Sequence, residues 1–89
     1  MSEKIWSDDA WEDYLLWQNS DKKIVKRINQ LIKDIERNGC FDGIGKPEAL
    51  TVDLSGEFSR RIDDKNRLVY HTEDQRIFIV QCKGHYQDH

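Results

Sequence analysis

The chain has few of the residues that mark secreted, membrane-spanning or nucleotide-binding proteins. Cysteine occurs only at Cys40 and Cys82, too few for a disulfide framework. No apolar run approaches the ~20 residues needed to cross a bilayer, and no charged-then-apolar leader opens the chain. The expectation is a cytoplasmic protein with reduced thiols and no membrane partner. Internal repeats, a glycine-rich phosphate loop, a nucleophile elbow and a dinucleotide fingerprint are all missing, so nothing points to chemistry built on those motifs. Excess positive charge is missing too. Fourteen basic residues face 17 acidic ones, a net charge of −3, so any RNA contact must come from local asymmetry.

At 89 residues the chain is long enough for one domain, residues 1–89, with a single small core. Charge is uneven along it: residues 1–20 hold one lysine against five acids, whereas residues 21–40 hold six basic residues against three acids. This describes either a two-faced molecule or two solvated helix surfaces.

Lys4-Ile5-Trp6 reads as a short strand. Ser7 can cap a helix whose first turn carries Asp8 and Asp9, and Trp11, Tyr14, Leu15 and Gln18 recur at helical spacing. Aromatic residues at that spacing are core packing more often than a base-stacking surface. After Asn19, Ser20 can cap a second helix. There Ile24, Ile28, Leu31, Ile32 and Ile35 form a stripe, and Asn38-Gly39 supplies the stop. A short loop between two helices makes an antiparallel hairpin.

Residues 41–48 are rich in turn formers, with Gly43, Gly45 and the lone Pro47, and deliver Glu48 to the start of a strand. Residues 49–54 are weakly β, 58–62 and 67–71 read as paired strands about the turn 63–66, and 77–80 is an apolar run suited to a central strand after the turn 72–75. Alternation in the 60–67 hairpin does not separate polar from apolar faces.

The chemistry is concentrated in this second half. Lys46, Arg60, Arg61 and Arg67 can converge across neighbouring strands, and arginine's planar fork suits phosphate. The same arginines can instead form surface ion pairs with Asp53, Asp63 and Asp64. Glu48 is a positioned carboxylate, and His85 carries an imidazole that serves as acid or base near neutrality. Cys82, His85 and His89 have part of a zinc-site spacing, but no fourth ligand is evident, and no metal or other cofactor is expected.

Ile5-Trp6-Ser7, Trp11-Glu12-Asp13-Tyr14-Leu15, Gly45-Lys46-Pro47-Glu48-Ala49-Leu50, Leu54-Ser55-Gly56, Ser59-Arg60-Arg61-Ile62, Arg67-Leu68-Val69-Tyr70 and His85-Tyr86 occur in the order found in YoeB-type toxins. The sequence resembles that group, within the RelE superfamily of bacterial toxin–antitoxin proteins, over residues 4–86. The resemblance implies an α+β fold, a two-helix hairpin on a twisted antiparallel sheet, similar to microbial ribonucleases. It implies a metal-independent endoribonuclease that cuts mRNA in the ribosomal A site. Glu48 matches the general base, Arg67 the phosphate-stabilising residue, His85 the general acid and Tyr86 an adjacent residue that places the mRNA; Lys46, Arg60 and Arg61 are the further RNA-binding candidates. Implied partners are a YefM-like antitoxin, the 70S ribosome, a second toxin copy and, through the antitoxin complex, operator DNA. An inactive toxin fold that only binds antitoxin or ribosome is the rival, which retention of Glu48, Arg67 and His85 disfavours. Three departures from relatives stand out: the extension Gln87-Asp88-His89, Thr51-Val52 in place of a more basic pair, and Glu57 in place of an aromatic residue.

Overall fold

The computed structural model describes residues 2–51 and 56–84. Chain order is β1 (Glu3–Trp6), α1 (Asp8–Ser20), α2 (Lys22–Asn38), β2 (Glu48–Ala49), β3 (Phe58–Arg61), β4 (Arg67–Glu73) and β5 (Arg76–Gln81). Among the described residues no helix is long and apolar enough to cross a membrane.

Both helix starts follow from side-chain capping. Ser7 Oγ accepts the Ala10 N–H at 3.0 Å and donates to the Val80 carbonyl at 2.7 Å, so it caps α1 and ties it to β5. For α2 the cap is Asp21 and not Ser20: Asp21 Oδ1 accepts the N–H groups of Lys23 and Ile24. Ser20 stays within α1 and donates back to the Leu16 carbonyl. The stripe expected on α2 is the one observed, with Ile24, Ile28, Leu31, Ile32 and Ile35 all buried. On α1 the inward face is rotated from the one expected. Ala10 is buried and Tyr14 and Trp17 are half-buried against the core, while Trp11 remains 46% exposed. Ala10, Tyr14 and Trp17 are also spaced by helical turns; the heavier side chain at Trp11 obscured the smaller one at Ala10. Trp17 Nε1 spends its donor on the Cys82 carbonyl, so it is a packing residue and not a stacking platform.

The helices pack on one face of a five-stranded sheet ordered β1-β5-β4-β3-β2. Four strands are antiparallel neighbours, but β1 lies parallel to β5, with Glu3 opposite Arg76 and Trp6 opposite Ile79, so the sheet is mixed. A parallel neighbour needs a long connection, and everything between β1 and β5 supplies one. A bulge at Val80 shifts the β4–β5 register between Val69↔Gln81 and Tyr70↔Ile79. Cys82 consequently returns to the helix side, fully buried, with Sγ 3.5 Å from the Ala10 carbonyl.

The β4–β5 turn is tighter than expected: only Asp74 and Gln75 lie outside the ladder, at φ +51° and +64°. Two consecutive positive φ angles define the hairpin turn that favours Asp-Gly. Replacing Gln75 with Gly therefore relieves left-handed strain at one residue and is expected to stabilise the fold by ~0.5 kcal/mol, after the added freedom of the unfolded chain is subtracted. An unchanged or lower urea midpoint for Gln75→Gly would contradict this.

Candidate active site on the open sheet face

Adjacent residues on a strand point to opposite faces, so Arg60 and Arg61 cannot share a role. Phe58, Arg60, Leu68 and Tyr70 face the helices, whereas Ser59, Arg61, Arg67 and Val69 face away. Register then builds the site. Glu48 stands opposite Ser59, Ser59 opposite Val69, and Arg61 opposite Arg67. The outcome is a cleft of about 150 Å³ lined by Lys46, Glu48, Ser59, Arg61 and Arg67.

Three cations and one carboxylate in so small a space make the cleft strongly electropositive. Like charges directly opposite on neighbouring strands are destabilising, and Arg61 and Arg67 are such a pair. Exposed Asp64 pairs with Arg61 and offsets part of that cost. Arg67 has no comparable relief at its inner nitrogen: Nε is buried and, among the described residues, has no hydrogen-bond partner. A buried guanidinium N–H without an acceptor is costly to the resting protein, while the Arg67 side chain lines the cleft beside Lys46 and Arg61, a setting that suits an oxygen anion.

The loop before Glu48 is held in place by close backbone approach. Arg61 N–H donates to the Gly45 carbonyl at 2.7 Å. Gly45 has φ +82°, and a Cβ there would come within 2.8 Å of Leu31 Cδ2 and 3.2 Å of Arg60 Cβ, so only glycine fits. Lys46 follows at φ +51°, an uncommon conformation for lysine, in the wall of the cleft.

Arg60, expected to touch RNA, does not reach the surface. It is fully buried, and all five of its N–H donors are used inside the protein. Nε donates to Tyr70 Oη at 2.9 Å; Nη1 to Asp34 Oδ2 at 2.5 Å and the Ile44 carbonyl at 3.1 Å; Nη2 to the Gly39 and Asp42 carbonyls at 2.7 Å each. Tyr70 passes its own proton to the Cys40 carbonyl at 2.9 Å. Arg60 is therefore the clasp of the 39–44 loop, which leads into Gly45, Lys46 and Glu48. Burial pushes the Asp34 carboxyl up, but hydrogen bonds from Arg60 and Ile44, together with the guanidinium charge, outweigh it and hold the carboxyl below the usual range.

The structure thus brings Lys46, Glu48, Arg61 and Arg67 together and removes Arg60 from the group. His85 and Tyr86, and the Gln87-Asp88-His89 extension, lie outside the described residues. Ser59 was not singled out by the sequence; its place in the cleft follows from sharing a face with Arg61, once the strand register is known. Glu57 does not extend the cleft: its Oε2 is 2.8 Å from His71 Nδ1, and that imidazole stacks on Phe78 at 4.7 Å. Cys82 is a poor metal ligand as placed, since burial pushes its thiol up to about 12. No group of three or more potential metal ligands occurs among the described residues.

Comparison with known proteins adds identity to this geometry. A family model described as YoeB-like toxin of bacterial type II toxin-antitoxin system matches residues 6–86. Toxin YoeB of Escherichia coli strain K12 is 54% identical over 82 residues, covering 92% of this chain and 96% of that protein. Among solved structures, a chain of the YoeB-YefM complex from Staphylococcus aureus superposes with a TM-score of 0.91 at 49% identity, covering 97% of this chain and 99% of that one. A YoeB dimer from the same organism superposes with a TM-score of 0.90 at 50% identity, covering 96% and 98%.

Proposed function

Because the chain belongs to the YoeB-like toxins of bacterial type II toxin–antitoxin systems, we propose that its open-face cleft cleaves messenger RNA in the ribosomal A site. The observation that carries this reading is the cleft itself, in which Lys46, Arg61 and Arg67 stand together with one carboxylate, Glu48. An anion with several oxygens satisfies that arrangement, and a carboxylate within the same cleft can take the proton of a hydroxyl beside the bound anion.

In this reading the Glu48 carboxylate takes the proton of a ribose 2′-hydroxyl as the oxygen attacks the adjacent phosphorus. Arg67, with Lys46 and Arg61, stabilises the added negative charge of the phosphorane through charge-assisted hydrogen bonds. The bond to the 5′-oxygen breaks, and His85 supplies the proton that oxygen needs; Tyr86 helps to place the mRNA. Products are a 2′,3′-cyclic phosphate and a 5′-hydroxyl, and no step calls for a metal. Ser59 lies between Glu48 and Val69 in the same row.

The net charge of −3 assigns much of the RNA affinity to the ribosome and little to the toxin itself. A YefM-like antitoxin then neutralises the protein by covering the cleft, its acids meeting Arg61 and Arg67. Arg60 takes no part in that contact, since it is fully buried. The toxin pairs as a homodimer and reaches operator DNA through the antitoxin, all within the cytoplasm.

Primer-extension mapping of a defined mRNA, with and without programmed ribosomes, tests the reading. Cuts are expected within the A-site codon, only with ribosomes present, and reduced about 10²- to 10⁴-fold by Glu48→Gln. Ribosome binding without cuts would leave a non-catalytic toxin fold, and equal cleavage of free RNA would end the ribosome dependence.

A further inference from the structure

Beside the cleft, one buried amide joins two segments that the reaction needs together. Asn66 closes the turn between β3 and β4 and is 9% exposed. Asp63 fixes its orientation: Asn66 Nδ2 donates to Asp63 Oδ1 at 3.0 Å and to Oδ2 at 3.2 Å. The same carboxylate accepts the backbone N–H groups of Lys65 and Asn66, so it is itself held. With Nδ2 committed to Asp63, Asn66 Oδ1 is presented to the last described residue and accepts the Gly84 N–H at 2.7 Å. Gly84 in turn offers its carbonyl to the Arg67 N–H at 3.0 Å. Two consecutive residues, Asn66 and Arg67, therefore grip one peptide unit on each side of Gly84. Its φ is +79°, and among the described residues nothing lies within 4 Å of where a Cβ would stand, so glycine serves here to turn the backbone into that grip.

The tie connects the start of β4, which carries Arg67 into the cleft, to the residue immediately before His85. We infer that Asn66 is a positioning residue for RNA cleavage, which fixes the Gly84 backbone beside Arg67 and with it the point of the chain from which the next residue, His85, is delivered. The inference rests on the assignment of His85 as general acid made above. Without the tie, Gly84 keeps one of these two hydrogen bonds, and proton delivery to the 5′-oxygen loses its alignment while base and phosphate contacts remain.

Leaving-group chemistry separates this role from general fragility. In an mRNA whose scissile 5′-oxygen is replaced by sulfur, the same 2′-oxygen attack expels a thiolate, which departs without a proton. The protein is assayed on programmed ribosomes with both substrates, alongside His85→Ala as the acid-deficient reference and Asp21→Ala as a variant that weakens the fold by uncapping α2. Asn66→Ala is expected to slow cleavage of the 5′-oxygen substrate about 10- to 100-fold and that of the 5′-sulfur substrate by less than about threefold, the same pattern as His85→Ala but smaller. Asp21→Ala, measured below its melting temperature, should slow neither. Equal slowing of both substrates by Asn66→Ala would overturn the inference and leave the acid assignment standing. If His85→Ala slows both substrates equally, the acid assignment falls and the inference with it. Should Asn66→Ala lose its cooperative melt, Gly84→Ala, which strains the same grip from the other side, is read by the same criterion.

Discussion

Arg67→Ala is expected to lower the rate of A-site mRNA cleavage about 10²- to 10³-fold, the usual loss for one preorganised donor aimed at a developing oxyanion. Its stability should not fall. The wild-type side chain faces Arg61 across the ladder and leaves Nε buried without a partner among the described residues, so its removal relieves two costs of the resting protein. Arg67→Lys keeps the charge but loses the planar fork, and its rate should lie between the two. Single-turnover cleavage and a urea melt on each variant check both halves. A rate within a few-fold of wild type, or a clear loss of stability, would mean that Arg67 serves the fold and not the chemistry.

Arg60→Ala is expected to do the reverse, by weakening the fold. Removing one partner from a buried, fully bonded charge leaves Asp34 uncompensated and three loop carbonyls without donors, a cost of about 3–5 kcal/mol. Small domains of this kind have only ~5–15 kcal/mol of stability, so a large share of it would go. The neighbouring Arg61→Ala, which loses an exposed pair with Asp64, should change stability by less than about 1 kcal/mol. The contrast between adjacent arginines is measurable in urea. The same clasp gives an acid dependence. Asp34's carboxyl is depressed in the folded protein, so its contribution is complete above the unfolded value of 3.8 and is lost as pH falls through the lower folded value. Asp63 contributes with the same sign: burial raises its carboxyl, but hydrogen bonds from Lys65 and Asn66 outweigh that and lower it. Asp13, raised chiefly by burial, acts in the opposite sense. Asp34→Asn should therefore flatten the loss of stability below about pH 4.

Much of this is legible in the amino-acid sequence. The α2 stripe is read directly because isoleucine and leucine recur with the period of the helix, and burial is the only way to satisfy them. Ser7 as a cap and Gly39 as a stop are local decisions of two or three residues and came out as expected. Even the division between Arg60 and Arg61 has a trace in the sequence, since Phe58, Arg60 and Ile62 share parity and two of the three are apolar. An arginine in such a row is hard to assign to the core, because its burial is affordable only when every donor finds an acceptor. Those acceptors come from residues 34, 39, 42, 44 and 70, which no local pattern groups together.

The sequence by itself determined which segments are helices, that the remainder forms a sheet, and which residue types are available for acid, base and phosphate chemistry. Each of those depends on periodicity or side-chain identity, both of which are local. The tertiary structure alone decided that Lys46, Glu48, Arg61 and Arg67 share one cleft, that Arg60 is a buried clasp, that β1 runs parallel to β5, and that Asn66 grips Gly84. All four depend on register and on contacts between residues distant in the chain, where a shift of one residue would turn every side chain of a strand to the opposite face.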